Sequence, residues 1–245
     1  MHAVSEYQTM RTSPFFMQPL QLSIIVPVFN EERTLEEIVP HIQAMSGEGT
    51  EVIFVDDGSF DHSHAMLLRL ARPQDQVITK RNGGKGDAVR TGLAHVRAPY
   101  VIIQDADLEY NPEEIRQLLS TAIVSPGCAV FGSRFLKKNP CRYRIFLWGN
   151  KVLSAVLSIL FFTRITDSYT CYKLLPTDLM RSLALTANGF ELEAEISAKC
   201  LKRGIRIIEL PITYRPRSRA QGKKIKFRDA WMGVFMMLKV RLGFL

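Results

Sequence analysis

The stretch LSIIVPVFNEE, Leu22 to Glu32, decides how the rest of the chain is read. Leu22–Val28 is a short, apolar, β-branched run, which suits a strand buried in a parallel sheet. It breaks at Phe29-Asn30-Glu31. Asn30 is a helix-capping residue type, and Glu31 and Glu32 then fall in a first helical turn, where the helix dipole favours negative charge. The unit is strand, turn, helix, with carboxylates at the carboxyl end of the strand.

The same order repeats outward along the chain. Val52–Val55 runs into Asp56-Asp57-Gly58-Ser59 and a helical stretch from Asp61 to Leu70. Val77–Thr79 reads as a third strand, Asn82-Gly83-Gly84 as a loop and Lys85–Val96 as a helix. Tyr100–Ile103 is a fourth strand that ends at Gln104-Asp105-Ala106-Asp107. Pro112 opens a helix at its favoured first position, and Ala129–Phe131 is a fifth strand. Alternation with short loops predicts parallel βαβ units with right-handed crossovers, an α/β fold with a mostly parallel central sheet flanked by helices. After Ser133 the rhythm changes to a basic loop (Lys137 to Arg144), an apolar helix (Ile145 to Phe162), helical patterns at Leu179–Leu185 and Leu192–Arg203, a late strand (Ile205–Tyr214) and a last helix (Phe227–Leu242). The expected division is a flexible tail over 1–20, one domain over 21–226, and an amphipathic helix over 227–245.

The chain has 245 residues and a formal charge of +8. From Lys199 to Leu245 there are 13 Lys and Arg against Glu209 and Asp229 alone, which points to an anionic partner. Cys128, Cys141, Cys171 and Cys200 form no CxxC pair, so neither a zinc site nor a disulfide framework is indicated and a reducing compartment is expected. Residues 1–18 have no continuous apolar run of the secretory kind. Val152–Phe162 and Ala230–Leu245 are apolar but too short or too interrupted by charge for a spanning helix, which needs roughly 20 residues. In the last helix Phe227, Trp231, Val234, Phe235, Leu238 and Leu242 recur at helical spacing with Lys and Arg between them, a pattern that fits an interfacial helix or one packed on the domain.

In open parallel sheets ligands bind beyond the carboxyl ends of the strands. Asn30-Glu31, Asp56-Asp57 and Asp105-Ala106-Asp107 all fall there. Several carboxylates at one edge repel one another unless a cation joins them, and a hard divalent ion, Mg²⁺ or Mn²⁺, suits oxygen ligands and bridges a diphosphate. Alternation points Asp105 and Asp107 to one side. Asp57 can accept hydrogen bonds from a base or ribose. The loop 82–87 fits neither GxxxxGK[ST] nor GxGxxG, so it is either a strand-to-helix turn or a phosphate contact. Arg134, after the fifth strand, can fork onto a phosphate or form an ion pair. Glu191, Glu193 and Glu195 are either solvated helix charge or hold a catalytic carboxylate. Arg215, Arg217, Arg219, Lys223 and Lys224 form a basic loop that can cover a departing diphosphate. The basic charge is not interleaved with aromatics, so nucleic acid is not expected as a partner.

These residues resemble family 2 glycosyltransferases with the GT-A fold, in particular the dolichol-phosphate mannosyltransferase branch and its bacterial polyprenyl-phosphate relatives. The resemblance rests on IIVPVFNEE (24–32), VDDGS (55–59), NGGKGDAVRTGL (82–93), QDADLEYNPEE (104–114), GSRF (132–135), DSYTCYKLL (167–175) and the Arg217/Lys223 loop. It implies an inverting, metal-dependent transfer of a hexose from a GDP- or UDP-linked donor to a polyprenyl or dolichyl phosphate, in cell-envelope glycan synthesis at the cytoplasmic face of a membrane. Pro27, Phe29, Glu31, Val55, Asp57 and Lys85 would then line the nucleotide-sugar pocket with Asp105, Ala106 and Asp107. Asp105, Asp107 and Glu109 would hold Mg²⁺ or Mn²⁺. Asp107, Arg134, Arg217 and Lys223 would carry catalysis. Phe29 stands where relatives often have Tyr, so a hydroxyl contact is lost there. A hydroxyl acceptor on a saccharide or protein would need a base, for which Asp167, Glu191 and Glu193 are candidates. A GT-A subunit that binds without catalysis is the remaining alternative. A processive synthase would carry QxxRW and spanning helices, which are missing.

Overall fold

The computed structural model describes residues 19–45, 47, 49–141, 144–217 and 227–245. Its elements in chain order are β1 (Leu22–Val28), α1 (Glu32–Met45), β2 (Thr50–Asp56), α2 (Ser63–Leu70), β3 (Gln76–Thr79), α3 (Lys85–His95), β4 (Tyr100–Ile103), a 3-10 turn (Pro112–Glu114), α4 (Ile115–Val124), β5 (Ala129–Ser133), α5 (Arg144–Leu160), β6 (Lys173–Pro176), α6 (Thr177–Ser182), α7 (Leu192–Lys202), β7 (Ile207–Pro211) and α8 (Phe227–Leu242).

Among the described residues the strands form one seven-stranded sheet in the order β3-β2-β1-β4-β6-β5-β7. Strands β3, β2, β1 and β4 are mutually parallel, and β7 runs parallel to β5. The expected mostly parallel α/β sheet is present. One strand had no reading as such: β6 enters between β4 and β5 and is antiparallel to both. It has only four residues, and Lys173 is fully buried within it, so neither alternation nor an apolar run marked it out. The late strand is shorter than Ile205–Tyr214, because pairing with β5 covers only Ile207 to Pro211.

The burial pattern explains why these elements form. Ile24, Ile25, Val26 and Val28 of β1 have at most 1% exposure, as a strand covered on both faces requires. Helix α1 buries Leu35, Ile38, Val39, Ile42 and Met45, an i, i+3, i+4, i+7 stripe. Helix α3 lies on β1 and β2, and Gly92 allows that approach: a Cβ there would come 2.6 Å from Ile25 Cγ2.

Asn30 does not cap α1. It takes φ +52°, and its side-chain oxygen accepts from the Phe60 amide. The first amides of α1 go instead to the next connection: Glu31 N donates to Ser63 Oγ at 2.8 Å and Glu32 N to Asp61 Oδ2 at 3.2 Å. The cap is made by residues about 30 positions away, a long-range contact that local propensity does not reveal.

A second apolar cluster lies under the helices of the C-terminal half. It joins Leu153 and Leu157 of α5, Ala194 and Ala198 of α7, and Met237 and Val240 of α8. The outer faces of α5 and α8 remain uncovered: Trp148, Val152 and Ile159 on one, Trp231, Phe235, Leu238 and Leu242 on the other are exposed. Of the stripe read in the sequence of α8, Val234 turns inward onto the cluster, while Trp231, Phe235, Leu238 and Leu242 face out. No helix among the described residues is long and apolar enough to cross a membrane. The proposed tail over 1–20 falls almost wholly outside the described residues, and so do Arg219, Lys223 and Lys224 of the basic loop.

Candidate functional site

The carboxyl ends of β1, β2 and β4 converge on a cavity of about 240 Å³. Pro27, Phe29 and Glu31 line it from β1 and the turn that follows. Asp57 comes from the end of β2, Asn82, Gly84 and Lys85 from the start of α3, and Asp105, Ala106 and Asp107 from the end of β4. Phe190 and Arg217 complete the wall. Val55, expected here, has no exposed surface and belongs to the core beneath α3, where its Cγ2 faces Gly92.

Asp57 is held by three donors. Lys80 Nζ reaches Oδ1 at 2.7 Å, the Gly83 amide reaches Oδ1 at 2.9 Å and the Gly84 amide reaches Oδ2 at 2.8 Å. The glycine-rich loop is therefore tied to Asp57. It also lies against the backbone of 187–189. The Gly86 amide donates to Asn188 O at 2.7 Å, and a Cβ at Gly84 or Gly86 would come within 2.5 or 2.3 Å of the carbonyls of Asn188 or Ala187. The need for glycine here is close backbone approach, and at Gly84 also φ +93°.

A smaller chamber of about 60 Å³ adjoins the first and shares Lys85, Asp105, Asp107, Phe190 and Arg217 with it. Its own walls are Glu109, Tyr110, Arg134, Tyr169, Cys171, Glu193 and Tyr214. Sequence reasoning passed over Tyr110, Tyr169, Cys171 and Tyr214 as site residues. They arrive from separate segments and carry no strand-end signature. Tyr110 packs between two other tyrosines, with its ring 4.9 Å from that of Tyr172, tilted, and 5.4 Å from that of Tyr214, edge-on.

Between the two spaces stand Asp105 and Asp107, each paired with a protein cation. Lys85 Nζ lies 2.8 Å from Asp105 and 3.0 Å from Glu193. Burial pulls the lysine pKa down, but Asp105 and Glu193 outweigh it, so the ammonium stays charged well above its usual range. Arg217 bonds Glu31 with both terminal nitrogens, at 2.9 and 3.1 Å, and approaches Asp107 at 3.3 Å. Burial, then the charges of Asp105 and Glu109, raise the Asp107 carboxyl to about 7. The turn between Asp107 and Glu109 places Leu108 at φ +61°, a sparsely populated conformation for a branched residue.

Glu109 was grouped with Asp105 and Asp107 as a metal ligand. Its oxygens accept from Tyr214 Oη at 2.6 Å and the Arg217 amide at 2.8 Å. Among the described residues no three His, Cys, Asp or Glu side chains stand together as a metal-binding group. Asp105 and Asp107 do fit a hard cation. Two carboxylates line one cavity, and the one most crowded by negative charge has its affinity for a proton raised.

Arg134 is a buried residue with 9% exposure, not a surface one. Its Nε and one terminal nitrogen clamp Asp167 at 2.7 and 2.8 Å, and the guanidinium lies 5.1 Å over the Tyr214 ring. The other terminal nitrogen has no protein acceptor among the described residues. Asp167 is completely buried and bonded through both oxygens to Arg134. Glu191 accepts from the amides of Asn188 and Gly189, and Glu195 from Thr186, Ala187 and Lys199. Glu193 bridges Lys85 and fully buried Lys173, at 3.0 and 2.6 Å. None of these glutamates is a solvated helix charge.

A family model described as "Glycosyl transferase family 2" matches residues 23–180 of this chain. Glycosyltransferase AglJ of Haloferax volcanii is 27% identical over 81% of this chain and 64% of its own length. A dolichol-phosphate mannosyltransferase of Pyrococcus furiosus is 26% identical over 83% of this chain and 59% of its own. An undecaprenyl-phosphate 4-deoxy-4-formamido-L-arabinose transferase of Photorhabdus laumondii is 32% identical over 58% and 45%. The chain thus spans about half to two thirds of the length of these relatives. Among solved structures, glucosyl-3-phosphoglycerate synthase from Mycobacterium tuberculosis with Mg²⁺ and UDP superposes with a TM-score of 0.71 at 18% identity, over 91% of this chain and 80% of that one. Its complex with Mn²⁺, UDP and glucosyl-3-phosphoglycerate gives 0.68 at 19%, over 91% and 80%. These likenesses establish the GT-A fold.

Proposed function

The chain belongs to glycosyl transferase family 2, and from that membership we propose that it is an inverting transferase that moves a hexose from a GDP- or UDP-linked donor to a polyprenyl phosphate. The observation that carries the proposal is the pair of cavities that meet at Asp105 and Asp107. The larger takes the nucleotide sugar, with Asp57 and the glycine loop at one end and the two aspartates at the other. The smaller takes the acceptor phosphate against the remaining nitrogen of Arg134.

A divalent ion held by Asp105 and Asp107 would supply Lewis-acid stabilisation of the departing diphosphate. The protein's own residues do the rest. Arg217, fixed between Glu31 and Asp107, places positive charge where the diphosphate accumulates negative charge. Lys85 holds Asp105 in line with Glu193. Arg134, held rigid by Asp167, orients the acceptor oxygen toward the sugar C1, on the face opposite the leaving group. Lys223 is proposed as a second cation over the diphosphate.

The phosphate acceptor is favoured over a hydroxyl by the state of the three candidate bases. Asp167, Glu191 and Glu193 are each engaged by protein donors. An ionised phosphate needs no base, whereas a hydroxyl does. The named relatives from Pyrococcus and Photorhabdus carry dolichol phosphate and undecaprenyl phosphate in their names, in keeping with this acceptor class. The uncovered faces of α5 and α8, with Lys151 near Trp148 and Lys239 4.6 Å from the Phe235 ring, support peripheral contact with an anionic membrane on the cytoplasmic side.

The test is a panel of radiolabelled UDP- and GDP-sugars with polyprenyl phosphate, with and without Mg²⁺ or Mn²⁺. Label should enter the organic phase with one donor, and a chelator should abolish it. Arg134→Ala should raise KM for the lipid phosphate on the order of tenfold or more with donor KM little changed. Label that stays aqueous with every donor refutes the acceptor.

A further inference from the structure

Resting on the lipid-phosphate reading, we infer that Tyr169 is a positioning residue that ties the seating of helix α8 to the shape of the inner chamber. Tyr169 lines that chamber beside Arg134 and Glu193 and has no part in the larger cavity. Its ring also packs on the apolar cluster shared by α5, α7 and α8. Its hydroxyl reaches Asp229 O, in the first turn of α8, at 3.4 Å.

Gly233 closes the contact. A Cβ built there would lie 1.6 Å from the Tyr169 hydroxyl oxygen and 2.6 Å from Cζ. Glycine is a poor residue in a helix interior, and α8 crosses the tyrosine so closely that no other side chain fits. There is no slack between helix and ring. The same helix buries Met237 and Val240 against Ala194 and Ala198 of α7, and α7 carries Glu193 into the chamber. Any displacement of α8 therefore reaches two walls of the chamber directly, while the nucleotide cavity, which neither Tyr169 nor Glu193 lines, is reached only at second hand, through the Lys85 partner of Glu193. The outer face of α8 exposes Trp231 and Phe235 by 75% and 60%. Whatever α8 lies against sets the geometry offered to the acceptor.

The experiment is steady-state kinetics on the full chain with polyprenyl phosphate in phosphatidylglycerol vesicles. Gly233→Ala should raise the acceptor KM on the order of tenfold while the donor KM stays within about twofold. In the Tyr169→Ala background the same glycine change should have no further effect, because the added methyl meets no hydroxyl. Equal rises in both KM values, no rise, or additive effects in the double variant overturn the inference. If Gly233→Ala shows no cooperative melt, Tyr169→Phe serves instead. It keeps the ring and removes the hydroxyl, and should raise the acceptor KM by about two- to threefold with donor KM unchanged; a wild-type acceptor KM overturns the inference. A wild-type protein that transfers no sugar to lipid phosphate sinks the acceptor reading alone. Hydrogen exchange, which needs no turnover, then decides the coupling: amides 168–172 should lose protection in Gly233→Ala while 55–59 do not, and unchanged exchange at 168–172 overturns it.

Discussion

The two ends of the sheet carry a buried and a half-buried carboxylate under opposite electrostatic conditions. At the amino end, Glu51 accepts from Ser23 Oγ, from the Arg97 amide at 2.8 Å and from Arg97 Nε at 2.7 Å. Burial alone would raise its carboxyl, but these bonds hold it below the ordinary value. At the carboxyl end, burial and like charge raise Asp107 to about 7. One carboxylate is saturated with donors and serves the fold. The other, although Arg217 approaches it at 3.3 Å, is crowded by Asp105 and Glu109 and lines the cavity. Burial of an acid therefore says little about its role until its donors are counted.

Four outcomes would break or sharpen that contrast. The largest effect belongs to Asp107→Asn, which should lower kcat/KM for sugar transfer on the order of 10²–10³-fold. The melting temperature should not fall, because a repelled charge has been removed. A variant that loses stability and keeps its activity would reverse the assignment. Asp167 refines the contrast, since it sits at the carboxyl end of the sheet yet is saturated by Arg134. Asp167→Ala leaves that guanidinium buried and alone, and should cost about 3–5 kcal/mol in denaturant unfolding. If it costs nothing, donor saturation is not what separates structural from functional acids here. Glu51→Gln should cost about 1–2 kcal/mol and leave turnover unchanged. The smallest effect is its pH dependence. The Glu51 carboxyl is lowered in the folded state from 4.5, so its contribution is complete above that value and is lost as pH falls through the folded value. The gap in melting temperature between wild type and Glu51→Gln should close as the pH is taken down below 4.5. A gap that widens on acidification would contradict the sign.

The carboxyl end was legible in sequence because many of its cavity-lining residues lie at or just beyond the end of an apolar run. Pro27 lies at the end of β1 and Phe29 and Glu31 trail it, Asp57 trails β2, and Asp105 and Asp107 trail β4. One period and one topological rule place them together. Val55, implied as a pocket residue by the family resemblance, lies within β2 two residues before Asp57 and is buried in the core. The inner chamber was poorly legible. Glu109 meets Tyr214 across 105 positions, and Lys173 meets Glu193 across a four-residue strand that no local pattern announced. Such contacts depend on how the irregular C-terminal half folds back, which short-range patterning does not encode. The cap of α1 failed to be read for the same reason: Ser63 and Asp61 replace the neighbouring Asn30.

The backbone-to-backbone wedge of Gly84 and Gly86 against residues 187–189 also bears on how this scaffold can be remodelled. In a saturation library those two positions should be emptied of every other amino acid, because carbonyl oxygens of a distant segment already fill the volume a methyl group needs. Gly47 and Gly149, with nothing within 4 Å, should accept substitution freely. Diversifying the 82–86 loop is therefore aimed at the least malleable wall of the cavity, and Phe29 and Phe190, whose side chains also line it, are the better places to vary.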